Sequence, residues 1–449
     1  MPRSIVCGAA LLVALAASPE RARAHGTIPT SNSISFGPDD GAVLLGTNFG
    51  GVLDLAGGDA RFICERLVTG EQTSVDVWLR LASGGVAAIV TTGGFIRGVY
   101  ASDEDACGFT IVPGTEPLLM VDLVADPEDP RGFWAVGEAT GDAAGARLVR
   151  RAQAGVEELA RHDGKRVAGV RAAGAHAYTI FFDATEAHLL HVGPDGLETF
   201  VHARVDDEVL RPLGVDPATP TTLWVVGSTT QRDMLYRSVD AGETLTPVLE
   251  VAARLGGFAI DGASVWVQSP QKGVHRSTDG GVEFAPLPGS PHGSCLARAP
   301  DGRLFACGVP WQDAMVLGVS VDGATFTPVL AYFDGIVGAL DCDDEADTAL
   351  CAEELTFLRA YYGFSDPAVV EGAEVVESSV EPSVETGPEA AAEAGVEVER
   401  DEARGSDDGC GAGSSGPLVA AWATMFLALA ARGRHLKKAS WRGGRPVRE

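Results

Sequence analysis

Short apolar runs punctuated by Gly, Pro, Asp and Ser clusters fill the stretch from Thr27 to about Asp366. Residues 212–217, 222–227, 233–238 and 245–250 read as four successive strands. Residues 257–261, 264–268, 273–277 and 284–287 repeat the set. Alternation mixed with short continuous apolar runs fits strands covered on both faces, as when small sheets pack against one another. The unit recurs about every 40 to 49 residues, the period of a four-stranded blade, and about seven units fit. The pattern therefore predicts an all-β chain, a β-propeller of seven four-stranded blades over residues 27–366.

The turn chemistry sharpens this. Ser238, Asp240 and Gly242 sit between two strand patterns, as do Ser277, Asp279 and Gly281, and Ser320 and Asp322. An Asp carboxylate accepts bonds from unpaired turn amides, Ser adds a local bond, and Gly tolerates positive φ. These segments resemble the Asp-box (BNR) repeats of sialidase-like and sortilin-like propellers, which implies a structural role for the boxes. Asp195 marks a weaker copy, 100–109 another, and 54–62 and 151–159 match by position only.

The cysteine spacing follows this register. Cys295 and Cys307 flank the turn Pro300-Asp301-Gly302 symmetrically, which predicts a cross-strand bridge. Cys342 and Cys351 flank the acidic turn 343–348 in the same way, leaving Cys64 and Cys107 to pair, among the fifteen pairings six cysteines allow.

Composition places the chain. The N-terminus carries Arg3, an apolar run 5–17 and Ala22-Arg23-Ala24, which predicts a signal peptide over 1–24 and export. Glu371, Glu374, Glu377, Glu381, Glu385, Glu389, Glu393 and Glu397 stack like charges, and Pro382 and Pro388 interrupt any helix. That predicts an acidic disordered linker over 370–409. Cys410, the apolar run 417–431 and a basic end follow. This arrangement resembles the MYXO-CTERM sorting segment of myxobacterial surface proteins, with Ala412 where many members carry a second Cys. The resemblance implies an anchor segment over 410–438, a basic tail over 439–449, Cys410 as attachment point and a cell-surface location. A plain membrane helix is the alternative.

The formal net charge of −28 argues against nucleic-acid partners. No zinc signature, P-loop or nucleophile elbow is present. The acidic turn 341–347 lacks the glycine-spaced loop of a calcium site. The sequence thus predicts no catalytic residue, no metal and no cofactor. It points to a monomeric, non-enzymatic surface module that binds a protein or glycan and meets the membrane through its C-terminal segment. The enzymatic alternative is a sialidase-like hydrolase; Arg61, Arg66, Arg80 and Arg97 are candidate carboxylate binders, but the early Arg-Ile-Pro-like motif reads Gly26-Thr27-Ile28-Pro29.

Overall fold

The computed structural model describes residues 30–362 except 38–42, 56–58, 71–73, 93–94, 104, 117, 141–143 and 204–207. The proposed signal segment, the acidic linker, Cys410 and the basic tail lie outside the described residues. Twenty-eight strands form seven four-stranded antiparallel sheets arranged as a β-propeller. Blade 1 holds β1 (Ser31–Phe36), β2 (Val43–Thr47), β3 (Gly50–Leu53) and β4 (Arg61–Cys64). A one-turn helix, α1 (Glu65–Thr69), leads to blade 2, with β5 (Ser74–Arg80), β6 (Val86–Thr92), β7 (Phe95–Ala101) and β8 (Thr110–Ile111). Blade 3 holds β9 (Leu118–Ala125), β10 (Phe133–Ala139), β11 (Gly145–Ala152) and β12 (Gly155–Asp163). Blade 4 holds β13 (Arg166–Ala173), β14 (His176–Phe182), β15 (Glu186–Gly193) and β16 (Gly196–Ala203). Blade 5 holds β17 (Val209–Val215), β18 (Leu223–Ser228), β19 (Asp233–Ser238) and β20 (Thr246–Val251). Blade 6 holds β21 (Gly257–Asp261), β22 (Ser264–Ser269), β23 (Gly273–Ser277) and β24 (Ala285–Pro286). Blade 7 holds β25 (Leu296–Arg298), β26 (Leu304–Cys307), the short helix α2 (Pro310–Asp313), β27 (Leu317–Ser320) and β28 (Thr327–Leu330).

The first strand of every blade packs against the first strands of its neighbours, so these seven strands wall a central channel. The second strands are the most apolar and are buried along most of their length, for example Val43 to Leu45, Phe133 to Val136 and Leu223 to Val226. A blade on either side covers them, which is why they read as continuous apolar runs. The apolar cores lie between blades: Trp134, Val136, Phe181 and Leu190 join blades 3 and 4, and Leu213, Trp224, Val226 and Val267 join blades 5 and 6. The fourth strands face water; β16 is exposed along most of its length.

The ring closes in a way the sequence pattern did not suggest. All four strands of blade 1 come from the N-terminal side, and β1 packs directly on β25 and β26 of blade 7. The chain after β28 then runs across the outside of blade 1. Strand β29 (Gly338–Ala339) pairs in parallel with β4, and helix α3 (Glu345–Tyr362) packs on it. Cys351, Leu355 and Leu358 recur at i, i+4 and i+7 and are buried, which gives α3 its apolar stripe.

This latch corrects two of the predicted disulfides. Cys64 bonds Cys351 and Cys107 bonds Cys342, so neither Cys64–Cys107 nor Cys342–Cys351 forms. The physical reason is that 343–348 is not a hairpin turn. It begins a helix, and Cys351 sits on the buried stripe of α3 against β4. Cys295–Cys307 is bonded as expected, beside a backbone bond from Cys307 N to Cys295 O of 2.8 Å. Three disulfides suit an oxidising compartment.

The latch also buries a carboxyl group. Glu65 of α1 is 1% exposed, and its Oε1 accepts a bond from Val75 N at 2.9 Å. Burial pushes its pKa up to about 8, against the Val75 bond and with help from the nearby charges of Glu354 and Asp76. A raised folded-state pKa means that the contribution to stability is complete below the ordinary value of 4.5 and is lost as pH rises through about 8. The wild-type unfolding midpoint should therefore fall as pH rises from about 5 to about 8. Glu65→Gln should flatten that fall, and an equally steep fall in the variant would refute the assignment.

Candidate functional site

Each four-stranded blade is a meander, so its third-to-fourth turn lies at the end of the ring where its first strand finishes. The three Ser-x-Asp turns occupy this exit end of blades 5, 6 and 7. Ser238 Oγ meets Asp240 Oδ1 at 2.7 Å and accepts Gly242 N at 2.9 Å, while Asp240 accepts Thr244 N at 3.0 Å and Thr244 Oγ1 at 2.6 Å. Ser277 and Asp279 repeat this, with Gly281 N on Ser277 Oγ at 2.9 Å and Val282 N and Glu283 N on Asp279 Oδ1. Ser320 Oγ bonds Asp322, which accepts Ala324 N and Thr325 N. Desolvation raises the Asp240 pKa, but bonds from Thr244 and Ser238 outweigh it and hold the carboxyl down at about 2. Asp195 sits at the corresponding turn of blade 4, a two-residue hairpin closed by Gly193 and Gly196.

These turns also stitch the blades. Gly242, Gly281 and Gly323 all have positive φ, and a Cβ on them would strike Leu189 of blade 4, Trp224 of blade 5 and Trp266 of blade 6. Trp266 Nε1 donates to Gly323 O at 2.8 Å. The turns are inter-blade rivets, and their Asp residues are engaged with their own backbone rather than poised for chemistry.

The channel supplies the candidate site. Toward the end where the first strands begin it opens into a cavity of about 290 Å³ lined by polar groups, among them Asn32, Ser33, Asp76, Asp122, Arg171 and Ser294. Toward the exit end it widens to about 520 Å³, and the wall turns apolar: Ile34, Phe36, Val124, Leu213, Phe258 and Ile260. Three arginines stand in that wall, Arg80, Arg171 and Arg298, and no carboxylate is among the described residues lining it.

Neighbouring blades hold the side chains of Arg171 and Arg298 and the backbone of Arg80 in place. Arg171 Nη1 donates to Asp122 Oδ2 at 2.7 Å, and its Nε reaches Leu213 O at 3.0 Å, so one side chain links blades 3, 4 and 5. Asp122 also accepts Val170 N at 3.1 Å. Arg80 N donates to Ser35 Oγ at 2.7 Å, joining blades 1 and 2. Arg298 Nη2 pairs with Asp261 Oδ2 at 2.8 Å, joining blades 6 and 7. A second cleft of about 520 Å³ between blades 2 and 3 contains Arg131 and Arg151, but Asp103 shares its wall.

Among the described side chains of the arginines singled out from sequence, only Arg80 reaches the channel. Arg61 lies on β4 and Arg66 on α1, and the side chain of Arg97 lies outside the described residues. Tyr236 donates to Glu208 Oε2 at 3.0 Å, but neither residue lines the cavity that holds the arginines, so no sialidase-type constellation assembles among the described residues. Arg171 and Arg298 were missed. The available signal was a charge inside a first-strand pattern, which a channel wall tolerates and a packed core does not.

No family model and no curated protein matches the chain. Solved structures do. A puromycin-hydrolysing peptidase of Mycobacterium tuberculosis aligns with 67% of this chain and 53% of its own, at 14% identity and a TM-score of 0.48. YCF48 bound to a D1 peptide aligns with 58% of this chain and 83% of its own, at 13% identity and 0.41. A nidogen/laminin complex aligns with 55% and 89%, at 10% identity and 0.37. The chain spans about half the length of the peptidase it matches.

The expectation that the chain is not an enzyme is corrected: a hydrolysing peptidase is among the structures it matches, and a missing catalytic motif in the sequence does not place it outside enzymes. No helix among the described residues is long and apolar enough to cross a membrane.

Proposed function

We propose that the chain is an exported, surface-held propeller that captures an anionic, partly apolar segment of a protein ligand at the exit end of its channel. The observation that carries this is the exit cavity, an apolar wall set with Arg80, Arg171 and Arg298. Apolar walls with a few placed polar groups are the usual form of a binding cavity. A guanidinium pairs with a carboxylate in two parallel bonds, which favours acidic side chains or a chain terminus over a neutral glycan. The disulfides and the N-terminal pattern support export, and the Cys410 segment supports tethering.

The test is a peptide-array and glycan-array screen with the full chain, followed by titration of the hits. Acidic–apolar peptides should bind, and Arg298→Glu should weaken them about tenfold. Equal binding by the variant, or a purely glycan profile, would sink this reading. Labelling of Cys410 on whole cells checks the anchor separately.

A further inference from the structure

At the entry end of the ring, the seam between blades 3 and 4 gathers a different set of groups. Asp183, Glu186 and His188 each offer a ligand atom, and these atoms all lie within 4.8 Å of one another. Asp183 follows β14, while Glu186 and His188 alternate onto one face of β15. His162, at the end of β12, faces His188 with ring centroids 5.8 Å apart.

The geometry is that of a cation cradle. Glu186 Oε2 lies 3.3 Å from His188 Nε2. Two ligands on one tetrahedral zinc ion stand about 3.3 Å apart, given metal–ligand distances near 2.1 Å. His188 Nε2 is shielded from solvent and faces the Glu186 carboxylate. Asp183 is already aimed: its Oδ1 accepts Thr185 N at 2.8 Å and Glu186 N at 3.0 Å, which turns Oδ2 toward the cluster. His162 is wedged edge-on against Phe181 beside the cluster.

One group opposes a metal. Lys165 Nζ lies 2.5 Å from Asp183 Oδ2. It is one of only four lysines in the chain, and its ammonium sits where the charge of a divalent ion would be felt most. We infer that Asp183, Glu186 and His188 form a three-ligand zinc-class site, its fourth position left to water, in which Lys165 is a built-in competing cation that an incoming ion displaces from Asp183. Nearby Asp163 takes no part, because Arg161 at 2.7 Å and Arg147 at 3.4 Å hold it.

The experiment is titration of the metal-free full chain with Zn²⁺ by calorimetry and with Co²⁺ by visible absorption, which reports a tetrahedral N/O site directly. One equivalent should bind. His188→Ala and Glu186→Gln should each remove it, while Lys165→Met should tighten it at least about tenfold, since the displaced cation is gone. Thermal unfolding without metal should show all three variants folded. No binding by the wild-type chain, or one equivalent retained in folded His188→Ala, would overturn the site.

Discussion

Reduction of the latch disulfides should be the most damaging mild treatment this protein can receive. Cys64–Cys351 spans 287 residues and Cys107–Cys342 spans 235. A cross-link over so long a loop removes denatured-state entropy worth roughly 5 kcal/mol when taken alone. The two are not additive, because once the first is made the second closes a far shorter loop. The geometry adds a local reason. Strand β29, the buried stripe of α3 and the apolar side chains Phe333, Ile336 and Leu340 dock the C-terminal segment on blade 1, and that interface holds the carboxyl groups of Glu65 and Glu354 out of water. With the bridges cut, α3 should leave β4 and expose Cys64, Leu67 and Val68. The expected results are a loss of roughly 4–5 kcal/mol in the Cys64→Ser/Cys351→Ser variant by urea unfolding, and faster proteolysis after Tyr332 or Tyr361, both exposed. The Cys295→Ser/Cys307→Ser variant spans only 12 residues and should cost less. If both pairs cost the same, the long loops are not what the latch constrains.

Gly281→Val should be the most damaging single substitution outside the latch. Gly281 has φ +81°, and a Cβ there would lie 2.5 Å from Trp224 Nε1. Two penalties combine: the left-handed backbone costs a branched residue about 1–2 kcal/mol, and overpacking against a buried Trp costs about 1–3 kcal/mol. The variant should lose roughly 3–4 kcal/mol. Gly262→Ala provides the control, because its φ is +55° but nothing lies within 4 Å of the added carbon. It should lose only the backbone part, about 1 kcal/mol. Urea unfolding of both variants decides the matter, and equal losses would show that the contact between turn and Trp224 contributes nothing. Ser277→Ala, which removes the oxygen that accepts Gly281 N, should lie between them at about 1–2 kcal/mol.

Much of the fold was legible. Residues 223–226 and 265–267 are apolar without interruption because a blade covers each side. Ser238-x-Asp240 and Ser277-x-Asp279 announce their turns because those side chains satisfy backbone amides a few residues away. Local hydrogen bonding leaves a local signature, and Cys295–Cys307 was readable for the same reason: the turn between them sets their register.

The rest depended on distance. Cys351 reaches Cys64 only because the chain returns to its starting blade, and no spacing rule within 343–351 carries that information. The stripe Cys351, Leu355 and Leu358 was present in the sequence, but hairpin symmetry competed with it and lost to helix packing against β4. Arg171 and Arg298 look like ordinary strand charges until seven first strands come together.

What the residues determined alone was the blade: its strand lengths, its buried second strand and its riveted turn, all set by bonds and packing within some 45 residues. Tertiary structure decided how the ring closes, which cysteines meet, and which cations share one apolar cavity or one cation cradle. Those properties belong to pairs of residues on different blades, whose approach is set by the curvature of the ring rather than by their neighbours in the chain.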